Sequence, residues 1–202
     1  MIMTKSITND LMQPSSNFHE LTSSDFAVQA KSMIKAYHKI TNDLTQDMNV
    51  NQDNTYEIYL DNIQDLLNRD FAVFKKMPKY KAVIEIAEWL TQADYAEEFL
   101  EEQFDETKKS VDKMSDDLDL LKELNKKMAN LAEWASIVDD PEVMSEKNEV
   151  LTLANTMNID IAQEDVTLQA MQDLVSKLNQ ILYVALPAWR DQLKALKMVY
   201  LA

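Results

Sequence analysis

No glycine occurs anywhere in the 202 residues, where ordinary usage of about 7% would supply roughly fourteen. Phosphate-binding loops, dinucleotide-binding turns, nucleophile elbows and kinase glycine loops all depend on glycine, because the backbone must reach positive φ or approach a ligand closely. None of them can be built here in its usual form. Tight β-hairpin turns also favour glycine, whereas a long helix needs it only at its end, where asparagine can serve. The absence points toward helices and away from sheets.

Cysteine is missing as well, which removes thiolate zinc sites, cysteine nucleophiles and disulfides. The two histidines, His19 and His38, are not preceded at three residues by glutamate, so the Glu-x-x-His pairs of di-iron bundles are absent. His38 reads as a helix-surface residue, and His19 falls in a polar tail. With no such apparatus the expectation is a non-enzymatic chain with no cofactor and no metal. No apolar run reaches the ~18 residues of a membrane span, and the amino-terminal residues lack the apolar stretch of a signal peptide. A cytoplasmic location is expected.

What is abundant is acid. Thirty-five acidic against twenty basic residues give a net charge of −15, which opposes direct binding to nucleic acid or anionic lipid and favours a basic or metallic partner, with a basic protein as the expectation. The apolar content of 46% is ample for a core. The reading is an all-α, elongated bundle of about five to six helices with one long coiled-coil-like helix and no β-sheet. Residues 1–21 are expected to form a flexible tail, and residues 22–202 a single helical domain.

The helices announce themselves by spacing. Thr22 with Asp25 makes an imperfect capping box ahead of Phe26, Ala30, Ile34, Tyr37, Ile40 and Leu44. A second stripe runs from Tyr56 to Phe74, where Pro78 ends it or kinks it. The third helix begins near Lys79 with Tyr80, Val83, Ile84, Ala87 and Leu90 in register. It continues through Val111, Met114, Leu118, Leu121, Asn125, Met128, Ala132 and Ala135, a coiled-coil seam. Leu124, Leu131 and Val138 widen that seam, so packing within a bundle is preferred, and a homo-oligomer built through it stays open. Asp139, Asp140, Pro141 and Glu142 stop one helix and start the next, with aspartate as cap, proline at the first helical position and acid against the dipole. That helix is expected to stop at Asn158, with a short link before another from Val166 to Pro187, which reads as a kink or a new start.

Two surfaces are candidates for partner binding. Asp94, Glu97, Glu98, Glu101, Glu102, Asp105 and Glu106 form an acidic face with no basic residue among them, with like charges about 6 Å apart along the axis. A solvated face is the simpler reading. The functional ones are a docking surface for a basic partner, or a mimic of a phosphate ladder of the kind phage-encoded inhibitors of DNA-binding proteins use. The second surface is an apolar stripe, Leu186, Trp189, Leu193, Leu196 and Tyr200, in a mildly basic segment with Lys177, Arg190, Lys194 and Lys197. Packing on the protein's own acidic body is the simpler reading, and a face that lies against a membrane surface or engages a partner is the functional one. A third reading is a calcium-responsive switch at Asp47, Asn49, Asn51, Asp53 and Thr55, which alternate as calcium-loop ligands do. Gln52 stands where that loop wants glycine, and Ile58 where it wants a bidentate glutamate.

The run from Leu178 to Leu193, in which an apolar helix leads into Pro187, then Trp189, Gln192 and Leu193, resembles the helical segment of toxic-anion (tellurite) resistance proteins. That resemblance implies an all-helical stress-resistance accessory protein, cytoplasmic or peripherally membrane-associated, with no agreed enzymatic chemistry. It transfers no site residues, because the matched positions read as structural.

Overall fold

The computed structural model describes residues 21–49 and 54–202, with side chains of residues 47–57 outside that description. The described residues are helical, with no strand among them. Five α-helices follow in order: α1 Ser23–Asn49, α2 Asn54–Leu67, α3 Lys79–Ile137, α4 Met144–Gln180 and α5 Leu186–Leu201. Short 3-10 turns, Phe71–Lys76 and Pro141–Val143, precede α3 and α4, and a π-helical turn, Ile181–Ala185, precedes α5. They group into two compact units whose boundaries fall inside α3 and α4. Among described residues, unit 1 holds 21–49 and 112–168, and unit 2 holds 54–111 and 169–202.

Local chemistry fixes the helix ends. The Thr22–Asp25 capping box is reciprocal: the Asp25 amide donates to Thr22 Oγ1 at 3.2 Å and the Thr22 amide donates to Asp25 Oδ2 at 3.4 Å. Asp140 Oδ1 accepts from the Glu142 amide at 3.0 Å, with Pro141 in the first turn, where its missing N–H costs nothing. A hydrogen bond from the Ser23 hydroxyl, then that backbone bond, hold the Asp140 carboxyl below its usual range. Lys147 Nζ donates to the Val138 carbonyl at 2.6 Å, satisfying an acceptor just beyond the end of α3.

Three expectations are corrected. The stripe from Tyr56 to Phe74 is not one helix. Asp70 Oδ1 accepts from the Ala72 amide at 2.8 Å, starting a separate 3-10 turn, and Met77 is extended, as the residue before Pro78 must be. The register of α3 over residues 80–90 is also rotated. Ala82, Ile86, Trp89, Ala93, Ala96 and Leu100 are buried, while Tyr80 and Ile84 are exposed. No link interrupts residues 158–165 either, because α4 is continuous there. Its inner side there mixes the polar Asp160, Glu164 and Thr167 with half-buried Ile161 and Leu168 between Met157 and Met171, so the apolar period weakens while the helix does not. Asn158 is held by Asn125, whose Nδ2 donates to Asn158 Oδ1 at 2.7 Å.

Unit 1 buries Phe26, Leu44, Met114, Leu118, Leu121, Met128, Leu131 and Met157. The Phe26 and Trp134 rings stack at 4.6 Å. Of the α3 seam, Met114, Leu118, Leu121, Met128 and Ala135 are buried in this unit. Ion pairs Lys31–Glu146 at 3.1 Å and Lys122–Asp165 at 2.8 Å tie α4 to α1 and to α3.

Unit 2 is built around Phe74, Ile86, Trp89, Leu100, Leu178, Leu182, Leu186 and Trp189. Pro187 lies in the first turn of α5, and the preceding π turn, with the Leu186 amide donating to the Ile181 carbonyl, widens the helix where a proline ring would meet a carbonyl. Backbone dihedrals stay helical on both sides of that turn, so Pro187 starts α5 without breaking the chain's helical course.

Candidate functional site

Between residues 94 and 106, α3 turns one face inward, with Ala96 and Leu100 buried, and carries its carboxylates on the remainder. The seven acids divide. Arg190, arriving from α5, donates Nη2 to Asp94 Oδ1 at 2.6 Å and Nη1 to Glu97 Oε2. The Arg190 side chain is 21% exposed, against 33% for Glu97 and 61% for Asp94, so the Glu97 arm of the fork is the less screened of the two. Two of the seven carboxylates are thus internal counter-ions that hold α5 to α3.

The other five, Glu98, Glu101, Glu102, Asp105 and Glu106, are exposed, and none is ion-paired among the described residues. Successive members three and four residues apart sit on neighbouring turns, where like charges disfavour the helix by a few tenths of a kcal/mol per pair. Burial of Leu100 and the half-buried rings of Phe99 and Phe104 on the inner side offsets this. Phe104 meets Tyr183 edge-on at 5.9 Å and carries Lys108 Nζ over its ring at 5.9 Å.

The apolar stripe lies elsewhere in its chemistry. Leu186, Trp189 and Leu193 are buried, and Leu196 and Tyr200 pack half-buried against the same core. Trp189 stacks on Trp89 with ring centres 6.0 Å apart and planes 10° apart, with Phe71 at 5.9 Å. This stripe is the inner face of α5, spent on unit 2 and not displayed. Pro187, Trp189 and Leu193 serve packing and helix geometry, and Gln192 is exposed.

A polar cluster in unit 1 has no counterpart in the sequence reading. The Tyr37 hydroxyl donates to Asp160 Oδ2 at 2.6 Å. Burial first, then that hydrogen bond, push the Tyr37 phenol up to about 12. One turn beyond Asp160, Glu164 has a buried Oε2 with no hydrogen-bond partner, and desolvation followed by the Asp160 charge raises its carboxyl above the usual range. The signal that finds this cluster is the three-and-four spacing of Met157, Asp160 and Glu164, which places acids in a core row.

His38 lies at the surface, 3.9 Å from Glu149 Oε1. The calcium-loop residues Asn51 and Asp53 lie outside the described residues, as do the side chains of Asp47, Asn49 and Thr55. Among the described residues no group of three or more His, Asp or Glu side chains is placed to hold a metal ion, and no helix is long and apolar enough to cross a membrane. Comparison of the chain with protein-family models, with curated proteins and with solved structures finds no match in any of the three.

Proposed function

We propose that this chain is a non-enzymatic interaction protein that engages a basic protein partner through the acidic face of α3. The observation that carries the reading is the division of the carboxylates. Arg190 neutralises Asp94 and Glu97, while Glu98, Glu101, Glu102, Asp105 and Glu106 on the same helix are exposed and have no cation among the described residues. Unneutralised like charges at helical spacing cost stability in the free chain and are compensated when a cationic surface arrives.

Ionic strength tests the reading. Binding to a lysine-rich peptide should weaken steeply between low and high salt, and Glu98→Lys with Glu102→Lys should remove most of it. Binding that responds to neither overturns the proposal. Mimicry of a phosphate ladder draws on the same five carboxylates. It is distinguished by competition, since only a mimic is displaced from its partner by duplex DNA.

A further inference from the structure

Three large side chains that an amphipathic α3 would be expected to bury lie on its outer side instead: Tyr80 is 72% exposed, Ile84 56% and Tyr95 69%. Steps of four, eleven, three, four and three residues lead from Tyr80 through Ile84, Tyr95, Glu98 and Glu102 to Asp105. Each is close to a whole number of turns at 3.6 residues per turn. The six therefore form one row about 38 Å long, opposite the buried row of Ala82, Ile86, Trp89, Ala93, Ala96 and Leu100. Single exposed apolar residues are ordinary on any protein. Here three of this size share one helix face, with half-buried Ala87 and exposed Thr91 between Ile84 and Tyr95, and that face runs on into carboxylates that are unpaired among the described residues, so it is apolar toward one end and acidic toward the other.

We propose that the outer face of α3 from Tyr80 to Asp105 receives an amphipathic basic helix from a protein partner. Its apolar side chains would seat on Tyr80, Ile84 and Tyr95, and its lysines or arginines on Glu98, Glu102 and Asp105. The inference rests on the acidic-face reading and adds the partner's form. A straight row with three-and-four spacing matches the ridges of a second helix. The carboxylates select a cationic one and repel nucleic acid and anionic lipid. Exposed tyrosines suit the mixed apolar and cationic contacts of such an interface, because the ring face attracts a cation and the hydroxyl stays solvated.

Two synthetic peptides of equal length and charge separate this inference from the reading beneath it. One is a helix-forming lysine and leucine peptide with its leucines on one face, and the other a lysine and serine peptide. Fluorescence anisotropy with the full chain at low salt should show the amphipathic peptide binding roughly tenfold more tightly or better. Ile84→Ser with Tyr95→Ser should abolish that advantage and leave the lysine and serine peptide unaffected, with helicity checked by circular dichroism. Glu98→Lys with Glu102→Lys should weaken both peptides. Equal affinity for the two peptides, or an advantage that survives the serine variant, overturns the inference alone. Failure of both peptides to bind overturns the acidic-face reading and the inference with it.

Discussion

The Tyr37 hydroxyl donates to Oδ2 of Asp160 across 2.6 Å, joining α1 to α4 inside unit 1. A bond to a charged acceptor at a half-buried position contributes about 1–2 kcal/mol. Tyr37→Phe should lower the melting temperature by a few degrees at neutral pH. The phenol is raised to about 12 from an ordinary 10.0, so the folded chain keeps its proton where the unfolded chain loses it. The contribution is whole below pH 10 and is lost as pH rises toward 12. Melts across that interval should show the wild type falling more steeply than Tyr37→Phe; parallel curves would exclude Tyr37 as the titrating group.

Glu164 has the opposite merit. Its Oε2 is buried without a partner and its carboxyl is raised by desolvation and by Asp160. A raised acid favours the protonated fold, so whatever Glu164 contributes is present at acid pH and lost as pH rises through its folded value. At pH 7 it burdens unit 1. Glu164→Gln removes the charge and supplies an amide donor toward the Asp160 carboxylate. It should stabilise the chain by about 1 kcal/mol at pH 7, and the gain should shrink toward pH 4. A variant no more stable than wild type at pH 7 would contradict this account.

These two acids also explain where the sequence is opaque. Caps are local, so Thr22 with Asp25 and Asp140 with Pro141 are legible from a few residues of chain. A helix interior is legible only while its inner row stays apolar. Asp160, Glu164 and Thr167 share the inner side of α4 with half-buried Ile161 and Leu168, and the weakened apolar period looks like a break between helices. In α3 the difficulty is reversed. Ala82, Ala93 and Ala96 carry little apolar area, so the larger Tyr80, Ile84 and Leu90 dominate any reading by size, yet the alanines are fully or nearly buried in the same core as Trp89 and Trp189. The division of the acidic face was illegible for a third reason: Arg190 lies 93 residues from Glu97 in the chain.

The Trp89–Trp189 stack gives a sharp test of the unit 2 core. Trp189→Ala leaves a cavity beside Trp89 and Phe71 and should cost about 3–5 kcal/mol by chemical denaturation, a large part of an ordinary domain's stability. Trp189→Phe keeps an aromatic face and removes an indole N–H that is buried without a partner, so it should cost well under half as much. Equal losses for the two variants would mean that stacking area is not what holds α5.

Arg190 separates the structural acids from the displayed ones. Its guanidinium is the cation of Asp94 and Glu97, so Arg190→Gln leaves both carboxylates unneutralised beside the five already free. Two consequences should move in opposite directions. Unit 2 should lose stability, by about 1 kcal/mol for a charge-assisted fork with one exposed and one half-buried carboxylate, with part of the loss recovered in high salt as repulsion among the acids is screened. Affinity for a lysine and serine peptide should rise at low salt, because the face has gained negative charge without losing any carboxylate. Peptide titration alongside thermal melts of the same variant reads both. A variant that is destabilised but binds no better would show that charge on α3 does not govern recognition, and one that binds better with unchanged stability would show that the fork does not secure α5.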